Sequence, residues 1–264
     1  MGEGNETARF GPLKGLLEMT DGKGRNGRGG RWIAPSADPV VKAMGVQDGW
    51  KRPFDLWVVA SAALLLLPLW IVLGVAIPLA IRLESPGPAL YRQARLGRGG
   101  RVFAVLKFRT MVDGAELRTG PVWAAWRDAR VTRVGGFLRR WRLDELPQVV
   151  NVLRGEMSLV GPRPERPELA ARIEREVPGF AARLLVRPGI AGLAQARGAD
   201  FRDPVRKLRY DLLYIETMRP WLDVKLLALC LIRVLGGGPR RMRRRADANP
   251  ADSGGRAPAA ARRP

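Results

Sequence analysis

The chain has 264 residues, with 46 Lys and Arg against 25 Asp and Glu, a formal charge of +21. Hydrophobic residues make up 46%, which excludes a wholly disordered chain and leaves room for a real core, while the charge points to polyanionic partners such as nucleic acid, anionic membrane or phosphorylated substrates. The lone Cys230 excludes an internal disulfide, and the absence of His removes the commonest general base and neutral metal ligand, leaving carboxylates, Lys, Arg, Tyr, Ser, Thr or that cysteine for any catalysis.

Residues 1–50 show little apolar periodicity, and GKGRNGRGGRW (22–32) reads as a flexible, solvated tail. No short apolar segment opens the chain, so a cleaved signal peptide is not expected. Between Asp55 and Arg82 lie 26 uncharged residues. As a helix they would cover about 39 Å, enough for a hydrocarbon core of about 30 Å. The apolar residues run all round it, as lipid contact requires. The flanks are basic on both sides, with Lys51 and Arg52 before and Arg82, Arg92 and Arg95 after. A span would carry one basic group across, against the preference of such groups for the cytoplasmic side. Pro68, near the middle, removes a backbone donor and breaks or kinks the helix. A re-entrant hairpin over 51–87, broken at Pro68, fits both facts; a kinked span is the alternative.

A catalytic domain is expected over 88–235. Val102–Met111 is β-prone and follows the turn LGRGGR, which predicts a β-hairpin. The stretch 167–185 reads as helix. Residues 203–218 open with an Asp cap and a Pro in the first helical position, and Val205, Leu208, Leu212 and Ile215 recur at helical spacing. The helix from Pro220 has an uncharged run of seven residues, too short to span; it lies in the membrane interface or caps the core. Residues 236–264 carry eight Arg and two Asp and read as a disordered basic tail drawn to anionic lipid.

The chemically informative stretch is FLRRWRLDELPQVVNVLRGEMSLVGPRPERPE (137–168). Asp144 and Glu145 sit beside Arg139, Arg140 and Arg142, and Arg163 lies between two prolines. Asp144 could cap a helix and Glu145 complement its dipole. Capping does not explain the arginines. A carboxylate nucleophile approaching an anionic phosphorus needs cations close by, and an oxygen-rich site without His suits Mg²⁺. The pattern therefore reads as metal-assisted phosphoryl transfer.

These residues resemble the bacterial sugar transferases, the monotopic phosphoglycosyl transferases that act on polyprenyl phosphate. The resemblance rests on KRPFD (51–55), LKFRTM (106–111), the run 128–168, VRPGIAGLAQARG (186–198) and YDLLYIETMRPWLDVKLL (210–227), in that order. It implies an α+β fold: a compact helix-rich catalytic domain, a small β-hairpin, an N-terminal re-entrant membrane helix and amphipathic interfacial helices. It implies transfer of a sugar 1-phosphate from a UDP-sugar to polyprenyl (undecaprenyl) phosphate, with UMP released through an aspartyl-phosphosugar intermediate. Asp144 would be the nucleophile. Glu145 would bind Mg²⁺, with Asp144 a second candidate ligand, or deprotonate the acceptor. Arg163, Arg139, Lys107, Arg109 and Arg187 would hold phosphates. The implied setting is the cytoplasmic face of a bacterial inner membrane, at the first membrane step of exopolysaccharide, O-antigen, capsule or glycoprotein glycan assembly, with downstream glycosyltransferases as further partners. Two positions depart from the family pattern: Leu67 precedes Pro68 where a Ser is usual, and Arg142 stands where a small hydroxyl residue is usual. A membrane-tethered nucleic-acid binder and an inactive scaffold relative are the alternatives; neither uses the acid pair.

Overall fold

A computed structural model describes residues 47–116, 128–199 and 203–235. The expected tails fall outside these residues, apart from the last four positions of the first.

The apolar run forms two helices, α1 (Arg52–Leu65) and α2 (Leu67–Glu84). They part at Leu66, whose φ of −111° and ψ of 20° leave the helical region, two residues before Pro68 in the first turn of α2. A proline there is tolerated because the first N–H groups of a helix lack intrahelical acceptors anyway. The middle of the pair, Leu64–Leu67, is exposed. The two outer ends return to one body. Val59 of α1 packs with Val105, Val152 and Met157, and Ile77 and Ile81 of α2 pack with Phe108 and Leu138. Val105 and Phe108 belong to one strand, three residues apart and so on its two faces, and the two helices pack on β2 from either side. Each buried Val or Ile stabilises that contact by about 1.5–3 kcal/mol.

The KRPFD motif supplies the polar side of the attachment. Lys51 pairs with the buried Asp223. Arg52 donates to the carbonyls of Val152 and Leu153 at 2.5 and 2.9 Å, and Asp55 accepts from the Leu159 N–H at 3.2 Å. The segment 51–87 is thus bolted at its base to the body that follows it in the chain rather than standing apart from it.

The expected hairpin is present as β1 (Leu90–Leu96) and β2 (Val102–Phe108), antiparallel, with Leu90 opposite Phe108 and Leu96 opposite Val102. Gly99 and Gly100, at φ of 66° and 76°, turn it. Then follow α3 (Arg133–Arg140), a 3₁₀ turn Leu143–Glu145, α4 (Gln148–Leu153) and β3 (Ser158–Val160). The stretch read as one helix over 167–185 divides into α5 (Pro167–Glu176) and a 3₁₀ segment Phe180–Leu185. Pro178 and Gly179, the latter at φ 91°, interrupt the 3.6-residue repeat. Next come β4 (Gly189–Ala191), parallel to β3, the short α6 (Leu193–Ala196), α7 (Pro204–Thr217) and α8 (Pro220–Leu235). Asp203 caps α7 as expected, accepting from the Arg206 N–H at 2.9 Å. Leu208 and Ile215 are buried, whereas Val205 lies on the exposed edge of the helix.

The molecule is a helix-rich α+β fold. Tyr214 of α7 and Leu226 of α8 close over Val160 and Ala191 of the parallel pair. The inner face of α8 holds Asp223 and Leu226, and its outer face exposes Trp221, Leu231 and Ile232.

Candidate active site

Three elements bring the acid pair together with its cations. The first is α3. Thr132 caps it by accepting from the Gly135 N–H at 2.9 Å, and Glu84, at the end of α2, accepts from the Arg133 and Val134 N–H groups at 2.7 and 2.8 Å. The exit of the apolar hairpin therefore fixes the start of the helix that leads to the acids. A Cβ on Gly135 would lie 2.0 Å from the Thr110 carbonyl oxygen, so only glycine lets α3 rest on the chain leaving β2. That closeness places Arg139 Nε 2.8 Å from Thr110 Oγ1.

The second element is the turn Leu143–Glu145. The expectation that Asp144 caps a helix is corrected here. Pro147 occupies the N-cap position of α4, so the first free N–H groups of that helix lie well beyond Asp144. Among the described residues no donor reaches the Asp144 carboxylate by hydrogen bond. Burial and the neighbouring Glu145 push its carboxyl above the ordinary value, against the pull of Lys107, Arg163 and Arg139.

Glu145 is the opposite case. Its Oε1 accepts from Arg163 Nη2 at 2.5 Å and its Oε2 from Arg142 Nη1 at 3.2 Å. Burial alone would raise its pKa, but Arg163, Lys107 and Arg142 outweigh that and hold it well below the carboxylate range. The Lys107 ammonium, on β2, makes no hydrogen bond among the described residues. Burial, with Arg163 beside it, lowers its ammonium to about 8 although Glu145 and Asp144 pull the other way.

The third element is the loop Pro162–Glu165. Two prolines limit its backbone, and a buried charge cluster grips it from behind. Arg183 donates to the Arg163 carbonyl at 2.6 Å and Arg95 to the Pro164 carbonyl at 2.9 Å. Arg183 in turn pairs with Asp211 at 2.8 Å, and Lys207 with Glu165 at 2.6 Å.

The sequence-predicted residues therefore divide. Asp144, Glu145, Arg139, Arg163 and Lys107 converge. Arg109 does not join them: its guanidinium donates to the Pro86 and Ser85 carbonyls at 2.5 and 2.6 Å and secures the chain leaving α2. Arg187 donates to the Gly155 carbonyl at 3.1 Å, at the turn after α4. Thr110 and the cluster behind the loop were missed; their partners in the site lie far off in sequence, and no spacing rule marks them. Gln148, one helical turn past the acids, was also missed. It is buried, and its Nε2 is a donor without an acceptor among the described residues.

Chemically, the site is a ring of cations around one carboxylate that no hydrogen-bond donor among the described residues reaches. It suits an anionic group bearing a phosphorus that the carboxylate can reach. Among the described residues no three Asp, Glu or Cys side chains converge, so the protein offers no complete oxygen cage. The donor set fits Mg²⁺ bound by one carboxylate, Asp144, with the remaining positions left to phosphate oxygens and water. Glu145 has each oxygen engaged by an arginine, Arg142 on one and Arg163 on the other.

The sequence model of the bacterial sugar transferase family matches residues 46–237. The UDP-N-acetylgalactosamine-undecaprenyl-phosphate N-acetylgalactosaminephosphotransferase of Aeromonas hydrophila is 43% identical over 190 residues, which are 71% of this chain and 44% of that protein. The UDP-glucose:undecaprenyl-phosphate glucose-1-phosphate transferase of Xanthomonas campestris pv. campestris is 42% identical over 180 residues, 66% of this chain and 37% of its own. The protein of the same name from Caulobacter vibrioides is 47% identical over 185 residues, 67% of this chain and 66% of its own. The chain thus spans less than half the length of the first two.

Proposed function

The chain belongs to the bacterial sugar transferase family, and we propose that it transfers a sugar 1-phosphate from a UDP-sugar to polyprenyl phosphate, giving polyprenyl diphosphosugar and UMP. The observation that carries this reading is the contrast within the acid pair: Glu145 held by two arginines, and Asp144 without a hydrogen bond among the described residues, inside a ring of Lys107, Arg139 and Arg163. An Asp144 oxygen attacks the phosphorus bonded to the sugar. The bond from that phosphorus to the bridging oxygen breaks, and UMP leaves with the electron pair. A phosphate oxygen of the acceptor then attacks the same phosphorus, the bond to Asp144 breaks, and the carboxylate is regenerated. Lys107, Arg139 and Arg163 offset the repulsion between carboxylate and pyrophosphate. Mg²⁺, held by Asp144 and the phosphates, would add further charge neutralisation.

The membrane reading rests on α1 and α2. Of the described helices, α2 alone is long and apolar enough to cross a bilayer, and little of it is buried. Because both ends of the pair pack on β2, the reading favoured is re-entrance: the pair enters and leaves by the face that carries the catalytic domain. The outer face of α8, with Trp221 and Ile232, would lie along the same interface. The site then opens at the cytoplasmic surface, where a polyprenyl phosphate presents its head group. This assigns 51–87 to the membrane and 88–235 to catalysis, with anionic lipid as a further partner. The experiment is a panel of UDP-sugars with polyprenyl phosphate and Mg²⁺, read as UMP release. Release with at least one sugar is expected; none across the panel overturns the reading.

A further inference from the structure

Arg142 is the only described residue other than glycine with a positive φ, at 53°. Its ψ is 21°, a left-handed conformation in which a Cβ crowds the backbone. Glycine or asparagine would occupy this turn with less strain. An arginine held there needs a reason in its side chain, and the structure shows one. Arg142 Nη1 and Arg163 Nη2 approach Glu145 from two sides, one on each carboxylate oxygen. The left-handed backbone is what turns the chain from α3 into the acid turn, and it brings the Arg142 guanidinium to a residue three positions ahead. Arg142 is 42% exposed and Glu145 8%, so the arginine closes the open side of a carboxylate that Arg163 and Lys107 already flank from within.

We propose that Arg142 is a positioning residue which, opposite Arg163, keeps both oxygens of Glu145 occupied and so leaves Asp144 as the sole carboxylate of the pair open to a phosphorus or a divalent cation. Two adjacent carboxylates could otherwise share one cation or compete for the same phosphate-binding arginine. Arg139 from α3, Lys107 from β2 and Arg163 from the proline loop all face Asp144, and none contacts the outer oxygen of Glu145 by hydrogen bond. Only Arg142 does. Its removal opens that oxygen and withdraws one positive charge.

The inference rests on the transferase reading for its kinetic arm but not for its binding arm. The variants are Arg142→Gly, which relieves the backbone, and Arg142→Lys, which keeps the charge. In the binding arm, Mn²⁺ alone is titrated into substrate-free protein and followed by electron paramagnetic resonance. Arg142→Gly should bind Mn²⁺ about tenfold more tightly, because a cation leaves and a second carboxylate oxygen opens beside Asp144. Arg142→Lys should stay close to wild type. In the kinetic arm, Arg142→Gly should lower kcat for UMP release about tenfold, the scale of one charge-assisted hydrogen bond, with KM for the UDP-sugar within about twofold. Arg142→Lys should recover most of that loss. The melting temperature of Arg142→Gly should equal or exceed that of wild type. Unchanged Mn²⁺ affinity in Arg142→Gly overturns the proposal, as does a kcat loss matched by a fall in melting temperature. If the wild type releases no UMP, the transferase reading fails and the Mn²⁺ arm alone decides the role of Arg142.

Discussion

The loop Pro162–Glu165 separates two groups of buried charge that treat their acids in opposite ways. Behind it, Asp211 and Glu165 are each paired with a cation at 2.8 Å or less, and Arg183 ties the group to the Arg163 carbonyl. In front of it, Glu145 is paired twice and Asp144, among the described residues, not at all. A buried carboxylate without a hydrogen bond is costly, so folding alone gives no reason to keep one. The rear group follows the rule for scaffolds. Asp144 breaks it at the one place where an unengaged carboxylate has chemical use.

The sharpest way to break this comparison is Asp144→Asn. UMP release should fall by about 10³-fold or more, the scale seen when a nucleophile is removed, while the melting temperature holds or rises. A variant that keeps its turnover would return Asp144 to the scaffold class. Asp211→Asn should behave in the reverse sense. It leaves the Arg183 guanidinium buried beside a neutral partner, and the loss should be about 3–5 kcal/mol of stability in denaturant unfolding. Turnover per folded molecule should fall far less than in Asp144→Asn.

Tyr214→Phe tests a third charged site at the base of the apolar helix pair. The Tyr214 hydroxyl lies 2.8 Å from Asp223 Oδ1, and Asp223 also holds Lys51. Loss of that bond to a charged acceptor should lower stability by about 1.5–3 kcal/mol, measured by the same unfolding.

The smallest effect expected is a change of slope with pH. Burial opposes ionisation of Glu165, but Lys207, Arg183 and Arg95 outweigh it, so its carboxyl titrates below the ordinary value of 4.5. The unfolded chain then binds this proton more readily than the folded one. The stability from Glu165 is complete above about pH 5 and is lost as pH falls through the lowered folded value. Glu165→Gln should flatten the acid side of the melting-temperature profile relative to wild type; an unchanged slope would deny the pairing.

Much of the site was legible because its residues are close in sequence. Asp144, Glu145 and Arg139 fall within seven positions, and the prolines around Arg163 announce a fixed charge. Arg109 and Arg187, expected at the phosphates, are found instead on backbone carbonyls; an arginine in a basic motif looks the same whether it faces a ligand or a backbone carbonyl. The difference lies in the Ser85, Pro86 and Gly155 carbonyls, each more than twenty residues from its donor. The capping role given to Asp144 failed for a similar reason: Pro147 permits a 3₁₀ turn to intervene before α4 begins.

The sequence by itself determined the composition-level facts: a 26-residue uncharged run with basic flanks, a hairpin turn rich in glycine, a capped α7, and an acid pair set among arginines. These depend on local backbone preference and on charge, which neighbouring residues set. Only the tertiary structure decided that both ends of the apolar pair rest on β2, that Arg109 braces a loop, and that Glu145 is gripped while Asp144 meets no hydrogen-bond donor among the described residues. Those outcomes depend on which groups meet across long stretches of chain, and the partner a side chain finds there, not its identity, sets its charge state and its use.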